Sequence, residues 1–184
     1  IGTNGDGSND ANEGNLISGN GDGAQFFGEG IAINESDGTI VNSGTITNDC
    51  TGNRIAGNFI GTNETGTSSL YTTGLNTQRG SGVQINYSTA NIIGTNGDGV
   101  SDALERNVIS GNTDAGIVLI AGGRHKIKGN YIGTTKNGLV DWQNYENGGT
   151  SILAGVRSMT TGDNNNIIGT DGEGVEVHSN GKGM

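Results

Sequence analysis

The chain has 184 residues, room for one domain, with 37 glycines, no proline, 30% hydrophobic residues and a formal net charge of −10. No apolar run approaches the roughly 18 residues of a membrane span, the scarcity of Ala, Leu, Glu and Lys excludes a helical bundle or coiled coil, and 19 acids against 9 bases argue against nucleic acid, which wants a basic face. The 19 isoleucines recur at regular places, which excludes a random polar coil, and the single Cys50 leaves no disulfide framework within the chain.

The chain opens on Ile1-Gly2-Thr3-Asn4-Gly5-Asp6-Gly7, a string that returns at Ile93 to Gly99, offset by 92 residues, and in altered form at Ile168 to Gly174. Shorter echoes lie between. Asn15-Leu16-Ile17-Ser18-Gly19-Asn20 matches Asn107 to Asn112, and Asn53 to Thr62 matches His125 to Thr134. Gly30-Ile31-Ala32-Ile33-Asn34 is followed by the similar Gly82 to Asn86 and Gly116 to Ile120. Each echo has apolar residues alternating with small or polar ones and bounded by Gly or Asn, which predicts a short strand. The repeat units run over about 1–92, 93–167 and a partial 168–184.

Similar strands stack best in parallel and in register, Ile over Ile, with Asn over Asn at the bends so that each amide donates to the next rung. Asn and Gly suit bends that need left-handed backbone angles. The prediction is a single all-β domain, a right-handed parallel β-helix (solenoid) of about eight coils at 20–25 residues per coil. The strings Asn-x-Ile-Ser-Gly-Asn, Gly-Asn-(Phe/Tyr)-Ile-Gly-Thr and Asn-x-Ile-Ile-Gly-Thr resemble the right-handed parallel β-helix repeats of large bacterial secreted and cell-surface proteins. That resemblance, to the pectate-lyase-like superfold, supplies the handedness. It implies an extracellular or cell-surface setting but no particular function, because the scaffold serves lyases, epimerases, adhesins and tailspikes alike.

The acidic turns carry the sharpest spacing. With Gly2 as position one, Asn4, Asp6, Asp10 and Glu13 fall at three, five, nine and twelve, and Gly7 at six. Asn96, Asp98, Asp102 and Glu105 repeat this, with Gly99 at six. The pattern is similar to an EF-hand calcium loop, in which short acidic side chains on a sharp turn supply hard oxygens to Ca²⁺. It departs from that family in having Gly at position one. The third copy keeps Asp171 and Glu173 but has Val177 and Asn180 where acids should follow. The plainer reading is a solvated polar turn.

A carbohydrate-active enzyme of lyase or epimerase type is the rival function. Its candidates are Arg124, His125, Lys126 and Lys128 on one strand, with Asp141, Trp142 and Tyr145 in the following turn. Alternating Lys126 and Lys128 also read as the outer face of a strand whose inner face holds Ile127, and no acid pair recurs beside these bases. An ice-binding or glycan-binding face would need a flat Thr or aromatic array; Thr45-Ile46-Thr47 resembles the Thr-x-Thr of ice-binding solenoids but occurs once. Phe26 and Phe27 suggest a coil edge, and Cys50 a small, partly buried residue. His178 suggests no role. Asn34, Asn63 and Asn86 head glycosylation sequons. The chain starts and stops at the same place within the repeat, so the expectation is a piece of a longer array or a subunit that stacks end to end. The predicted function is a non-enzymatic structural module (stalk, adhesin segment or filament subunit), with Ca²⁺ stabilisation through the acidic turns.

Overall fold

The computed structural model describes residues 1–18, 29–34, 50–68, 80–112, 114–138, 156–158 and 167–169. Twelve strands occur among them. In chain order they are β1 (Leu16–Ile17), β2 (Ile31–Asn34), β3 (Arg54–Ile55), β4 (Phe59–Ile60), β5 (Val83–Thr89), β6 (Ile92–Gly94), β7 (Val108–Ile109), β8 (Ile117–Gly123), β9 (Lys126–Lys128), β10 (Tyr131–Ile132), β11 (Val156–Ser158) and β12 (Ile167–Gly169). Every pairing is parallel, and each strand bonds to the one three further along the chain. The result is three four-stranded sheets, β1-β4-β7-β10, β2-β5-β8-β11 and β3-β6-β9-β12. The chain thus visits the three sheets in turn, and each triplet of strands is one rung. Beyond β3, residues 1–3 extend the third sheet: Gly2 bridges Ala56, Ala56 N–H donates to Ile1 O at 3.0 Å and Thr3 N–H to Ala56 O at 3.0 Å.

Register puts like over like. Ile17, Ile60, Ile109 and Ile132 form one column. Ile55, Ile93 and Ile127 form another. Ile33, Ile85 and Leu119 lie over one another in the second sheet. These columns meet in a single buried aliphatic cluster, with Cys50 half-buried against its edge. Because each column is fed by one side chain per rung, a chain poor in apolar residues still fills its core.

The corners are polar, and each is built from stacked side chains. Entering the first sheet, Asn15 Nδ2 donates to Asn58 Oδ1 (3.0 Å), Asn58 Nδ2 to Asn107 Oδ1 (3.0 Å) and Asn107 Nδ2 to Asn130 Oδ1 (2.8 Å). Each Oδ1 also accepts the backbone N–H of the asparagine one rung back, at 2.9–3.2 Å. The predicted amide stack is therefore present at this corner. Entering the third sheet, Asn53 donates to Asn91 at 3.0 Å, and the next member is His125, whose Nδ1 accepts Asn91 N–H at 3.3 Å. Entering the second sheet, Gly30, Gly82 and Gly116 stack instead. A Cβ on Gly82 would lie 2.5 Å from Ile109 Cγ2 and 2.7 Å from Gly116 O, so only glycine admits this approach.

The corner from the third sheet back to the first alternates in length. It is short at Ala56-Gly57-Asn58 and at Lys128-Gly129-Asn130, where one glycine with φ near +70° makes the bend. It is long between Gly2 and Asn15 and between Gly94 and Asn107, where the acidic strings lie. The 92-residue repeat therefore corresponds to a pair of rungs, one with a long corner and one with a short corner.

Candidate functional site

Both described acidic turns have one internal design. In the first, Asn4 Oδ1 accepts Asp6 N–H (3.0 Å) and Asn4 Nδ2 donates to Asp6 Oδ2 (3.1 Å). Asp6 Oδ1 accepts Ser8 N–H at 2.7 Å. Asp10 turns inward and is buried. Its carboxylate accepts Thr3 Oγ1–H (2.7 Å), Gly5 N–H (3.1 Å) and Gly7 N–H (2.8 Å). Glu13 Oε2 accepts Asn4 N–H at 3.0 Å. The chain passes Asn9 in a left-handed conformation into a single 3₁₀ turn, Asp10–Asn12.

The second turn repeats this nearly bond for bond. Asn96 and Asp98 exchange the same pair of bonds at 2.9 and 2.8 Å, and Val100 N–H donates to Asp98 Oδ1 at 2.8 Å. Asp102 accepts Thr95 Oγ1–H (2.5 Å) and Gly99 N–H (3.0 Å), and Glu105 Oε2 accepts Asn96 N–H at 2.8 Å. Ser101 takes the left-handed place of Asn9. The local cause is the sequence itself: short Asn and Asp side chains bond to the amide two residues on, and the glycines between them adopt positive φ.

The two turns occupy the same corner two rungs apart and lean together across the short corner between them. Ser101 donates its hydroxyl to Asp10, and Gly57 N–H donates to Glu105 O at 2.8 Å. Arg54, on the intervening rung, reaches both turns. Its Nη1 donates to Asn4 O and its Nη2 pairs with the fully buried carboxylate of Glu105. The Ser101 hydroxyl first, then Thr3 and the Gly7 and Gly5 amides, hold the Asp10 carboxyl below its ordinary pKa against the opposing effect of burial. The Val100 amide first, then the Asn96 side chain, lower that of Asp98; desolvation opposes them and the nearby Arg54 charge adds to them.

Of the residues whose spacing suggested a cation site, the structure gathers Asp98, Asp102 and Glu105, with one carboxylate oxygen of each within 4.8 Å of the others. Among the described residues no other group of three such side chains comes so close. Asn96 borders that group through Asp98. Asn4, Asp6, Asp10 and Glu13 make the matching bonds within the first turn, but the carboxylates among them do not form such a group. Asp171 and Glu173 lie outside the described residues, as do Phe26, Phe27, Thr45 to Thr47, Asp141, Trp142, Tyr145 and His178.

The bases considered for sugar cleavage differ in exposure. His125 is fully buried in the corner stack, Arg124 and Lys126 face outward and Lys128 is half-buried. Asn63 spends Oδ1 on the amides of Thr67 and Ser68, and Asn86 is half-buried within β5. Sequence reasoning passed over Arg54. A signal for it exists in the aligned strings: the column that holds Arg54 and Lys126 on short-corner rungs holds Ile92 on the long-corner rung between them. Searches with this chain found no matching family model, no matching curated protein and no matching solved structure.

Proposed function

We propose that this chain is a non-enzymatic structural module, a right-handed parallel β-helix that serves as a stiff segment of an extracellular or cell-surface protein. One observation carries the reading. Among the described residues, the polar side chains at the corners form rung-to-rung bonds, in the Asn ladders and in the Arg54 clamp across two acidic turns. Handedness follows the general rule that a strand, crossover and parallel strand in one sheet turn right-handed in about 98% of cases. The partners that suit such a stack are further rungs, in the same chain or in a neighbouring subunit, because each rung buries its faces only on its neighbours. The extracellular setting rests on the resemblance of the repeat strings to secreted and surface β-helices.

The test is a tandem duplication of residues 1–92. A structural stack accepts the added pair of rungs, keeps or raises its melting temperature and gains hydrodynamic length. An inserted chain that fails to fold, or a parent chain that depolymerises acidic or neutral polysaccharides, overturns the reading.

Calcium stabilisation is the second reading, favoured by the gathering of Asp98, Asp102 and Glu105. Three carboxylates with oxygen lone pairs to spare suit a hard cation. A weak extracellular-type site, with Kd of about 10⁻⁴–10⁻³ M, would add about 1.4–2.7 kcal/mol at roughly 10 mM Ca²⁺. That raises the melting temperature by about 3–10 °C in a chain of this size. Equal melting curves in Ca²⁺ and in EDTA remove this reading and leave the structural one standing.

A further inference from the structure

Each described acidic turn contains an Asn-Gly bond, Asn4-Gly5 and Asn96-Gly97. Asn-Gly is chemically labile because nothing on glycine hinders its amide nitrogen from attacking the preceding side chain. The nitrogen bonds to the Asn Cγ and loses its proton, and the side-chain nitrogen leaves as ammonia. Water then opens the resulting succinimide to aspartate or isoaspartate. No oxidant or cofactor is required.

We propose that Asn4 and Asn96 are latent self-modification sites, held unreacted by the threonine–aspartate pairs Thr3–Asp10 and Thr95–Asp102. Two locks act on each bond. The first holds the nucleophile. Gly5 N–H donates to Thr3 Oγ1 at 3.1 Å and to Asp10 Oδ1 at 3.1 Å. Gly97 N–H donates to Thr95 Oγ1 at 2.9 Å, and that hydroxyl donates onward to Asp102 at 2.5 Å. Thr3, Asp10 and Thr95 are all buried, so water does not compete for these bonds. A glycine N–H held in these hydrogen bonds must break them before its nitrogen can lose the proton and attack Cγ.

The second lock holds the electrophile. The Asn96 amide is fixed at both ends, with Oδ1 accepting Asp98 N–H and Nδ2 donating to Asp98 Oδ2. Asn4 is held in the same way by Asp6. The side chain must break both bonds before Cγ can meet its own glycine nitrogen. The third copy carries Asp171 at the corresponding place, so the repeat uses an ordinary aspartate there. Isoaspartate is the damaging product, because it adds a backbone methylene inside a turn whose amides from Asn4 to Ser8 are all hydrogen-bonded.

The experiment follows Asn4 and Asn96 by peptide mapping after incubating the whole chain in mildly alkaline buffer, with unstructured peptides of each turn as references. The wild-type chain is expected to modify at both positions at least about tenfold slower than the peptides, a ratio equivalent to about 1.4 kcal/mol. In Thr95→Val, and in Asp102→Ala, Asn96 should speed up by a similar factor while Asn4, with its guard intact, keeps its slow rate. Asn4 in the same molecule thus reports whether a variant has merely unfolded. Where Asp102→Ala opens the turn, Thr95→Val decides, because it preserves the side-chain shape and the carboxylate. Wild-type Asn96 reacting as fast as its peptide, or an Asn96-to-Asn4 ratio unchanged in Thr95→Val, overturns the proposal.

Discussion

Asn107 shows how much one side chain does in this fold. It is fully buried, donates to Ile55 O (2.9 Å) and Asn130 Oδ1 (2.8 Å), and accepts both Asn58 N–H and Asn58 Nδ2. Asn107→Leu keeps the volume but strands several buried polar groups at about 1–3 kcal/mol each. We expect a loss of about 3 kcal/mol or more by chemical denaturation, with a fall in melting temperature. His125→Asn is the reverse case. It restores an amide where the second ladder has an imidazole, and its cost should stay within about 1 kcal/mol. The left-handed corner gives a third residue-scale expectation. Ala121 sits at φ +55°, where an L side chain costs about 1–2 kcal/mol that glycine avoids, less glycine's entropic penalty of about 0.5–1 kcal/mol. Ala121→Gly should leave stability unchanged or raise it by about 1 kcal/mol, the opposite of glycine's usual effect within a strand.

At the scale of the element, the acidic turns hold together as pairs. Arg54 is about a quarter exposed while its partner Glu105 is sealed. Arg54→Met should therefore cost about 3–5 kcal/mol, mostly because a buried carboxylate loses its counter-charge. The turns also set a pH dependence. Asp10 and Asp98 have folded-state pKa values below their ordinary 3.8. A depressed carboxyl contributes stability that is present above its unfolded pKa and is lost as pH falls through the folded value. Melting temperature should thus hold steady above about pH 5 and drop below about pH 4, and the drop should be shallower in Asp10→Asn. The sequence made the internal design of each turn legible, since Asn-Gly-Asp-Gly with later acids at fixed spacing repeats almost unchanged. The contact between turns was not legible, because Ser101 meets Asp10, and Arg54 meets Asn4 and Glu105, only when rungs are stacked in register.

For the whole molecule, the isoleucine columns and the amide stack were readable because a fixed string recurs wherever the chain re-enters a sheet. The rung length was harder to read. Successive members of the first ladder are 43, 49 and 23 residues apart, because connecting segments of very different length leave and rejoin the same corner. Periodicity in sequence therefore marks the strands and says little about what lies between them. Energetically the stack should behave as a row of near-equal interfaces. Ile93→Ala, in the middle of its column, should cost about 2–5 kcal/mol and lower cooperativity on both sides of the break, as hydrogen exchange along β3, β6 and β9 would show.

The alternation of long and short corners limits how such a chain can lengthen. Neighbouring strands lie about 4.8 Å apart, so a bulky loop that must occupy this corner on consecutive rungs has half the headroom it has now. Growth in even steps preserves the clearance and always supplies a cationic residue between two loops. Growth by an odd step would set loop against loop, with no arginine or lysine to separate their carboxylates. Arrays of this type should therefore come in whole doublets, and an engineered insertion of a lone loop-bearing rung should melt well below its two-rung counterpart.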